Sequence, residues 1–218
     1  MPWPLHAADS LPLLAQGELR LYWCEDAGLA ISRRERLDRL LRLALAPLVG
    51  LPPEQLMFGR EAKGRPFLHH ASSPDFNLSD TRGGTLLAIT PTGKVGVDLE
   101  RTDRRPPALR LARRYFAPGE FTALDELPEA EQSLPFLHLW TAKEASCKAT
   151  GTGIFGYLPR WQFVPGSSEP IPLSLPEDAG AGARWRWQRL SPAPGYTAVI
   201  AMRDCAVQHV RGFRLDVD

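Results

Sequence analysis

Lysine is scarce in this chain. Of its 26 basic residues only Lys63, Lys94, Lys143 and Lys148 are lysines, so arginine is the default cation. Cysteine is scarce too. Cys24, Cys147 and Cys205 are odd in number and far apart, with no CxxC pair and no Cys/His spacing that suits zinc. The five histidines form no ligand spacing, and His69 and His70 read as loop surface. These absences argue against a disulfide scaffold and fit a reducing, cytoplasmic setting. No GxxxxGK[ST] or GxGxxG stretch is present to cradle a phosphate through backbone amides. No segment reaches the roughly 18 apolar residues needed to cross a bilayer, and the opening MPWPLHAADSLPLLAQGELR lacks the basic and apolar regions of a secretory leader. A net charge of +1 gives no bulk attraction to nucleic acid or membrane. The expectation is a soluble monomer with neither as partner.

What is present is organised. The 218 residues can bury a sizeable core as one large domain or two small ones. GELRLYWCED alternates like a half-buried strand, and SRRERLDRLLRLALAPLVG shows helical spacing from a Ser32 cap to a Pro47/Gly50 stop. A polar loop holding KGRPFL and SSPDFNLSD is expected next. TLLAIT, the turn PTGK and VGVDLE then read as a β-hairpin. Helices are expected through ALRLARRYF, from Pro118, and from about Pro135 to a Gly151 stop. RWQFV, ARWRWQRL and YTAVIAMRD are strand candidates around a Pro/Gly/Ala/Ser-rich loop at about 165 to 183. This order indicates an α+β protein in two halves.

In KVGVDLE the period of two puts Val95, Val97 and Leu99 on one face and Gly96, Asp98 and Glu100 on the other. On the helix, Trp140, Lys143, Glu144, Cys147 and Lys148 form one stripe. A stripe holding Trp140 and Cys147 faces an interior or a cleft, where unpaired charge is costly. The plain alternative is an exposed Glu144 to Lys148 ion pair. If Asp98, Glu100 and Glu144 converge, they make an all-oxygen site suited to Mg²⁺ and able to neutralise a phosphate, with the lysines flanking it.

The ordered segments FNLSD (76 to 80), GVDLE (96 to 100), RRYFAPGEF (113 to 121) and WTAKEASCKATG (140 to 151) resemble the 4'-phosphopantetheinyl transferases of the larger, pseudodimeric Sfp type. The resemblance implies transfer of the phosphopantetheine arm of coenzyme A to a serine of an acyl or peptidyl carrier protein, releasing 3',5'-adenosine bisphosphate. It implies a pseudo-two-fold pair of similar α/β halves, 1–94 contacting the nucleotide and 95–218 holding the chemistry, with the active site between them. By the same likeness Asp98, Glu100 and Glu144 would hold Mg²⁺, and Glu144 would be the base for the carrier serine. Lys148 would stand by the pyrophosphate. Lys143 would be a companion phosphate contact or a structural partner of Asp98 or Glu100. KGRP resembles the family's GKP loop, which places Lys63 and Arg65 near the nucleotide, and Arg33 aligns with a basic residue that meets the 3'-phosphate. Trp140 and Cys147 are expected to pack.

Two departures stand out. The family's FNxSHS has a histidine where this chain has Asp80, after Ser79 in the same phosphate-binding stretch. Asp80 is expected to turn to the local backbone and leave the phosphate to Arg33, Lys63 or Arg65. Only about ten residues separate the first strand from the SRRERL helix, where relatives insert a basic segment. Both departures suit a rival reading: a weak or silent paralogue that binds coenzyme A or a carrier. Arg101, Arg104, Arg105, Arg110, Arg113 and Arg114 crowd the segment after GVDLE. That cluster is either a solvated helix face or a patch that steers an acidic carrier.

Overall fold

The computed structural model describes residues 13–26, 31–180 and 183–217. The leader expectation for residues 1–12, the spacing argument over 27–30 and loop residues 181–182 lie outside them. Strand β1 (Glu18–Glu25) leads to helix α1 (Arg33–Val49). Ser32 caps α1 by accepting the Glu35 N–H, and Gly50 ends it in the left-handed conformation. Pro47 lies inside this helix rather than stopping it.

The stretch expected as a polar loop is largely strand: β2 (Phe58–Arg60), β3 (Pro66–Leu68) and β4 (Asp75–Thr81). Next come β5 (Gly84–Thr90) and β6 (Lys94–Arg101), then helices α2 (Ala108–Tyr115), α3 (Pro118–Asp125) and α4 (Ser133–Thr150). The chain closes with β7 (Gln162–Phe163), β8 (Pro172–Ser174), β9 (Trp185–Leu190), β10 (Tyr196–Arg203) and β11 (His209–Arg214). No helix among the described residues is long and apolar enough to cross a membrane.

Two sheets dominate, ordered β11-β1-β5-β4 and β6-β10-β9. The expected β5–β6 hairpin is therefore absent, since the two strands belong to different sheets. The PTGK turn carries the chain across, with Gly93 at φ +72°, where an added Cβ would lie 2.4 Å from the Arg203 carbonyl. Strand β11, which the sequence reading did not pick out and which lies in the span expected to form the second half, returns to pair in parallel with β1 in the first sheet.

Alternation decides what each sheet face covers. Leu19, Leu21 and Trp23 join Leu86 and Ala88 against Val95, Val97, Leu99, Ala198 and Ile200, forming a core between the sheets. Tyr22, Cys24, Leu87 and Ile89 pack outward on Leu40, Ala44 and Leu45 of α1. On the far side, Val199 and Ala201 meet Ala142, Ala145 and Ala149 of α4. The result is four layers, helix–sheet–sheet–helix, an α+β fold. Gly96 is what lets α4 come so close, because a Cβ there would sit 2.0 Å from the Ala145 carbonyl oxygen.

At the joint, β4 and β6 are edge strands linked through side chains. Asp75 accepts the Val95 N–H at 2.8 Å, Asn77 that of Val97 at 3.0 Å, and Ser79 that of Leu99 at 3.2 Å. Arg65 bolts this joint: it forks onto Asp75 at 3.0 and 2.6 Å and donates to the carbonyls of Val95 and Lys148. Removing the Asn77 acceptor strands a buried N–H, at a cost of about 1–3 kcal/mol. Asn77→Ala should therefore lower the denaturant midpoint clearly, and Asn77→Asp, which keeps an acceptor, should lower it less. Equal midpoints for the two variants would mean that packing alone holds the joint.

Candidate functional site

Facing α4 from β6 are Gly96, Asp98 and Glu100, the polar set of the alternation. Facing them from α4 are Glu144 and Lys148. Lys148 Nζ lies 2.6 Å from Asp98, 3.1 Å from Ser79 Oγ and 3.8 Å from Glu144. Ser79 in turn donates to Asp98 at 3.0 Å. Glu100 is paired with Arg104, which follows β6 and is half-exposed. Asp98, Glu100, Arg104, Glu144 and Lys148, with Ser79 and Asp80, line one polar cavity of about 360 Å³.

Three carboxylates in one shielded cleft repel one another, and their protonation reflects it. Burial first, then the charges of Asp98 and Glu100, push the Glu144 carboxyl up to about 7 against the pull of Lys148. Burial and Asp98 also raise Glu100, with Arg104 opposing. Burial works to discharge Lys148, but Asp98 and Glu144 outweigh it and hold its ammonium protonated. Asp98 Oδ2 is buried with no hydrogen-bond partner, an orphaned acceptor aimed into an acidic site. Hard oxygen donors with excess negative charge suit Mg²⁺ or a similar cation. In this conformation Lys148 and Arg104 supply the positive charge instead, and no group of three His, Cys, Asp or Glu among the described residues is arranged to hold a metal.

The other expected residues divide. Lys143 is not at the cleft. It is fully buried, 2.6 Å from Glu120, and donates to the carbonyls of Leu158 and Trp161. Burial lowers its pKa, with Glu120 opposing. The α4 stripe is wide, so its two edges meet different neighbours: Glu144 and Lys148 face β6, while Lys143 points under α3. Trp140 packs on Phe116 and Phe136, and Cys147 is buried core. Arg65, expected at the nucleotide, spends its donors on the β4–β6 joint. Lys63 is exposed and lines a smaller cavity with Gly64, Cys147, Lys148 and Gly151.

Asp80 does not cap the local backbone. It lies in β4, opposite Thr85, and receives hydrogen bonds from Arg33 Nε, Thr85 Oγ1 and, at 2.7 Å, Arg36 Nη2. Burial would raise its carboxyl, but these bonds outweigh it and hold it below the usual range. Arg36, Thr85, Arg104 and Glu120 are the partners that sequence reasoning missed. Only Glu120 had a local signal, as an acid three residues after Ala117 whose side chain accepts that residue's N–H at 2.9 Å.

A third and larger cavity, about 880 Å³, opens between the start of α1 and β2–β3, lined by Arg33, Arg34, Leu37, Phe58 and Arg60. Leu78 lines all three cavities, so they meet around it. The fold and site thus define an α+β protein built on two main sheets, with an acidic, lysine-bearing cleft at the joint of those sheets and a ligand-sized hollow beside it.

A family model described as the 4'-phosphopantetheinyl transferase superfamily matches residues 94–201. The 4'-phosphopantetheinyl transferase HetI of Nostoc sp. is 36% identical over 166 residues, 75% of this chain and 67% of that protein. The 4'-phosphopantetheinyl transferase psf-1 of Bacillus pumilus is 32% identical over 181 residues, 82% of this chain and 75% of that one. A Synechocystis sp. relative is 38% identical over 148 residues, covering 67% of this chain and 59% of its own length. The chain belongs to the 4'-phosphopantetheinyl transferase superfamily, in its larger, Sfp-type class.

The raised Glu144 carboxyl sets a pH test. As pH rises from its ordinary 4.5, the unfolded chain gives up the proton before the folded protein does, so folding stability falls until about pH 7, where Glu144 ionises in place. Glu144→Gln removes that loss. The Tm of the variant minus that of the parent should grow between pH 5 and pH 8. A constant difference would mean that Glu144 ionises normally.

Proposed function

We propose that the chain transfers the 4'-phosphopantetheine arm of coenzyme A to a serine of an acyl or peptidyl carrier protein, with Mg²⁺, releasing 3',5'-adenosine bisphosphate. The observation that carries this reading is the convergence of Asp98, Glu100, Glu144 and Lys148 on a cleft that continues into a nucleotide-sized cavity. Asp98, Glu100 and Glu144 would hold the Mg²⁺, which would neutralise pyrophosphate charge when bound. Glu144, which faces the cleft beside Lys148, would take the proton from the serine Oγ. The oxygen attacks the phosphorus that bears the pantetheine, and the bond from that phosphorus to the pyrophosphate's bridging oxygen breaks, that oxygen leaving on the 5'-phosphate of the adenosine bisphosphate. Lys148 Nζ, held by Asp98 and Ser79, faces the charge that gathers on the departing bisphosphate. A cytoplasmic setting follows from this chemistry, since coenzyme A and carrier proteins meet there.

The test is intact-mass analysis of a panel of apo-carrier proteins incubated with the protein, coenzyme A and Mg²⁺. One of them should gain the phosphopantetheine mass. Asp98→Ala and Glu144→Gln should each lose about 100-fold or more in rate, the scale expected when a buried group that meets developing charge is removed. Wild-type rate in Glu144→Gln would overturn both its roles, and coenzyme A binding without any transfer would support the silent-paralogue reading.

The partner side rests on α2. Arg101 is tied to Asp103 and Arg104 to Glu100, but Arg110, Arg113 and Arg114 are exposed and form no ion pair among the described residues. Spaced at i, i+3 and i+4, they form one basic face of α2, suited to an acidic carrier surface. Because exposed charges are screened within about 8 Å at physiological salt, carrier KM should rise with ionic strength in the parent and much less in a variant with all three changed to Ala. Identical salt dependence in the two would remove α2 from the docking surface.

A further inference from the structure

The Asp80 position has a geometry of its own. One carboxylate takes two arginines from successive turns of α1. Its Oδ1 receives Arg36 Nη2 and Thr85 Oγ1, and its Oδ2 receives Arg33 Nε. Arg36 is buried, and its Nη1 also reaches Thr85. Arg33 differs: its side chain is 69% exposed while Asp80 is 5% exposed. The bond to Asp80 uses only Nε, and the two terminal nitrogens of Arg33 have no partner among the described residues. Arg33 lines both the carboxylate cleft and the large cavity.

A guanidinium can divide its donors in this way because it is a rigid planar fork. An ammonium also has three donors, but all sit on one nitrogen, so it lacks the second edge that the fork presents beyond its Nε contact. We propose that Asp80 is a positioning residue that fixes Arg33 through Nε, so that its free edge clamps a phosphate of the ligand where the two cavities meet. The carboxylate's repulsion of the phosphate is offset because the two guanidinium charges of Arg33 and Arg36 outweigh its single negative charge. This inference rests on the coenzyme A reading above.

The geometry makes a demand that plain charge attraction does not. In Arg33→Lys the single nitrogen would sit against Asp80, and the terminal nitrogens that extend past that contact would be lost. Its affinity for coenzyme A should then fall as far as that of Arg33→Ala, roughly tenfold, the scale of one charge-assisted hydrogen bond. Asp80→Asn made on the Arg33→Lys background should recover affinity, since it releases the lysine while leaving Arg36 an amide oxygen. Binding is measured by titration calorimetry with coenzyme A and dephospho-coenzyme A, and each variant's Tm is checked first. If the Asp80 double variant does not fold, the comparison of Arg33→Lys with Arg33→Ala decides. Arg33→Lys weakening coenzyme A but not dephospho-coenzyme A assigns the clamp to the 3'-phosphate, and equal weakening assigns it to the pyrophosphate. Wild-type affinity in Arg33→Lys would show that charge alone suffices and overturn the clamp. Failure of the parent protein itself to bind coenzyme A would overturn the functional reading, and this inference with it.

Discussion

Asp75, Asn77 and Ser79 of β4 accept the N–H groups of Val95, Val97 and Leu99 of β6, so three side chains do what a neighbouring strand would otherwise do. Both β4 and β6 are edges of their sheets, and an edge with open N–H groups is a site for unwanted pairing. Filling those groups from side chains keeps the sheets separate while fixing their register residue by residue. That register puts Ser79 beside Leu99, and therefore beside Asp98. Arg65 extends the same joint to α4 through the Lys148 carbonyl. The positions of Asp98, Ser79 and Lys148 are thus consequences of one set of hydrogen bonds, and the cleft opens where that set ends.

The cleft is charged but compensated. Asp98 has Lys148, Glu100 has Arg104, and Asp80 has Arg33 and Arg36. Glu144 is the least compensated, with Lys148 at 3.8 Å, and it is the one whose proton affinity rises furthest, as repulsion in a shielded site requires. On the proposed reading, Asp98, Glu100 and Glu144 would hold a divalent cation, and Lys148 and Arg104, which pair with Asp98 and Glu100 here, would then be able to meet phosphate charge.

How legible this was depended on what a residue's neighbours in sequence reveal. The ends of α1 were readable because Ser32 and Gly50 act locally. The faces of β6 were readable because alternation is a property of the strand alone, and it correctly set Asp98 and Glu100 opposite Val97 and Leu99. SSPDFNLSD was misread as loop because its polar residues at 75, 77 and 79 looked solvated, whereas they are buried acceptors for a strand about 20 residues away. Polarity with period two is ambiguous between water and a partner backbone. The β5–β6 hairpin failed for a related reason: both strands are buried on each face, and a short turn serves equally well to join strands within a sheet or across two. Arg65 was expected at the nucleotide and Asp80 at the local backbone, and the partners each has here are distant in sequence and invisible to local pattern.

The two lysines of α4 show why residue choice here follows from surroundings rather than from the motif as a unit. Lys143 and Lys148 are five residues apart and sit on opposite edges of the same stripe. Lys143 lies over the Phe116 ring, paired with Glu120 and two carbonyls, a closed pocket in which a compact ammonium meets three acceptors. Breaking such a pair from either side would leave a buried charge, a cost of several kcal/mol, so its place is structural. Its effect still reaches the site: it ties α4 to α3 and to the segment before β7, on the face opposite β6. A helix held from behind by Lys143 and brought close in front by Gly96 can neither slide nor tilt away from β6, and that restraint keeps Glu144 and Lys148 within reach of Asp98. The scarce residue type is therefore used twice, once to fix the helix and once at the cleft that the helix completes.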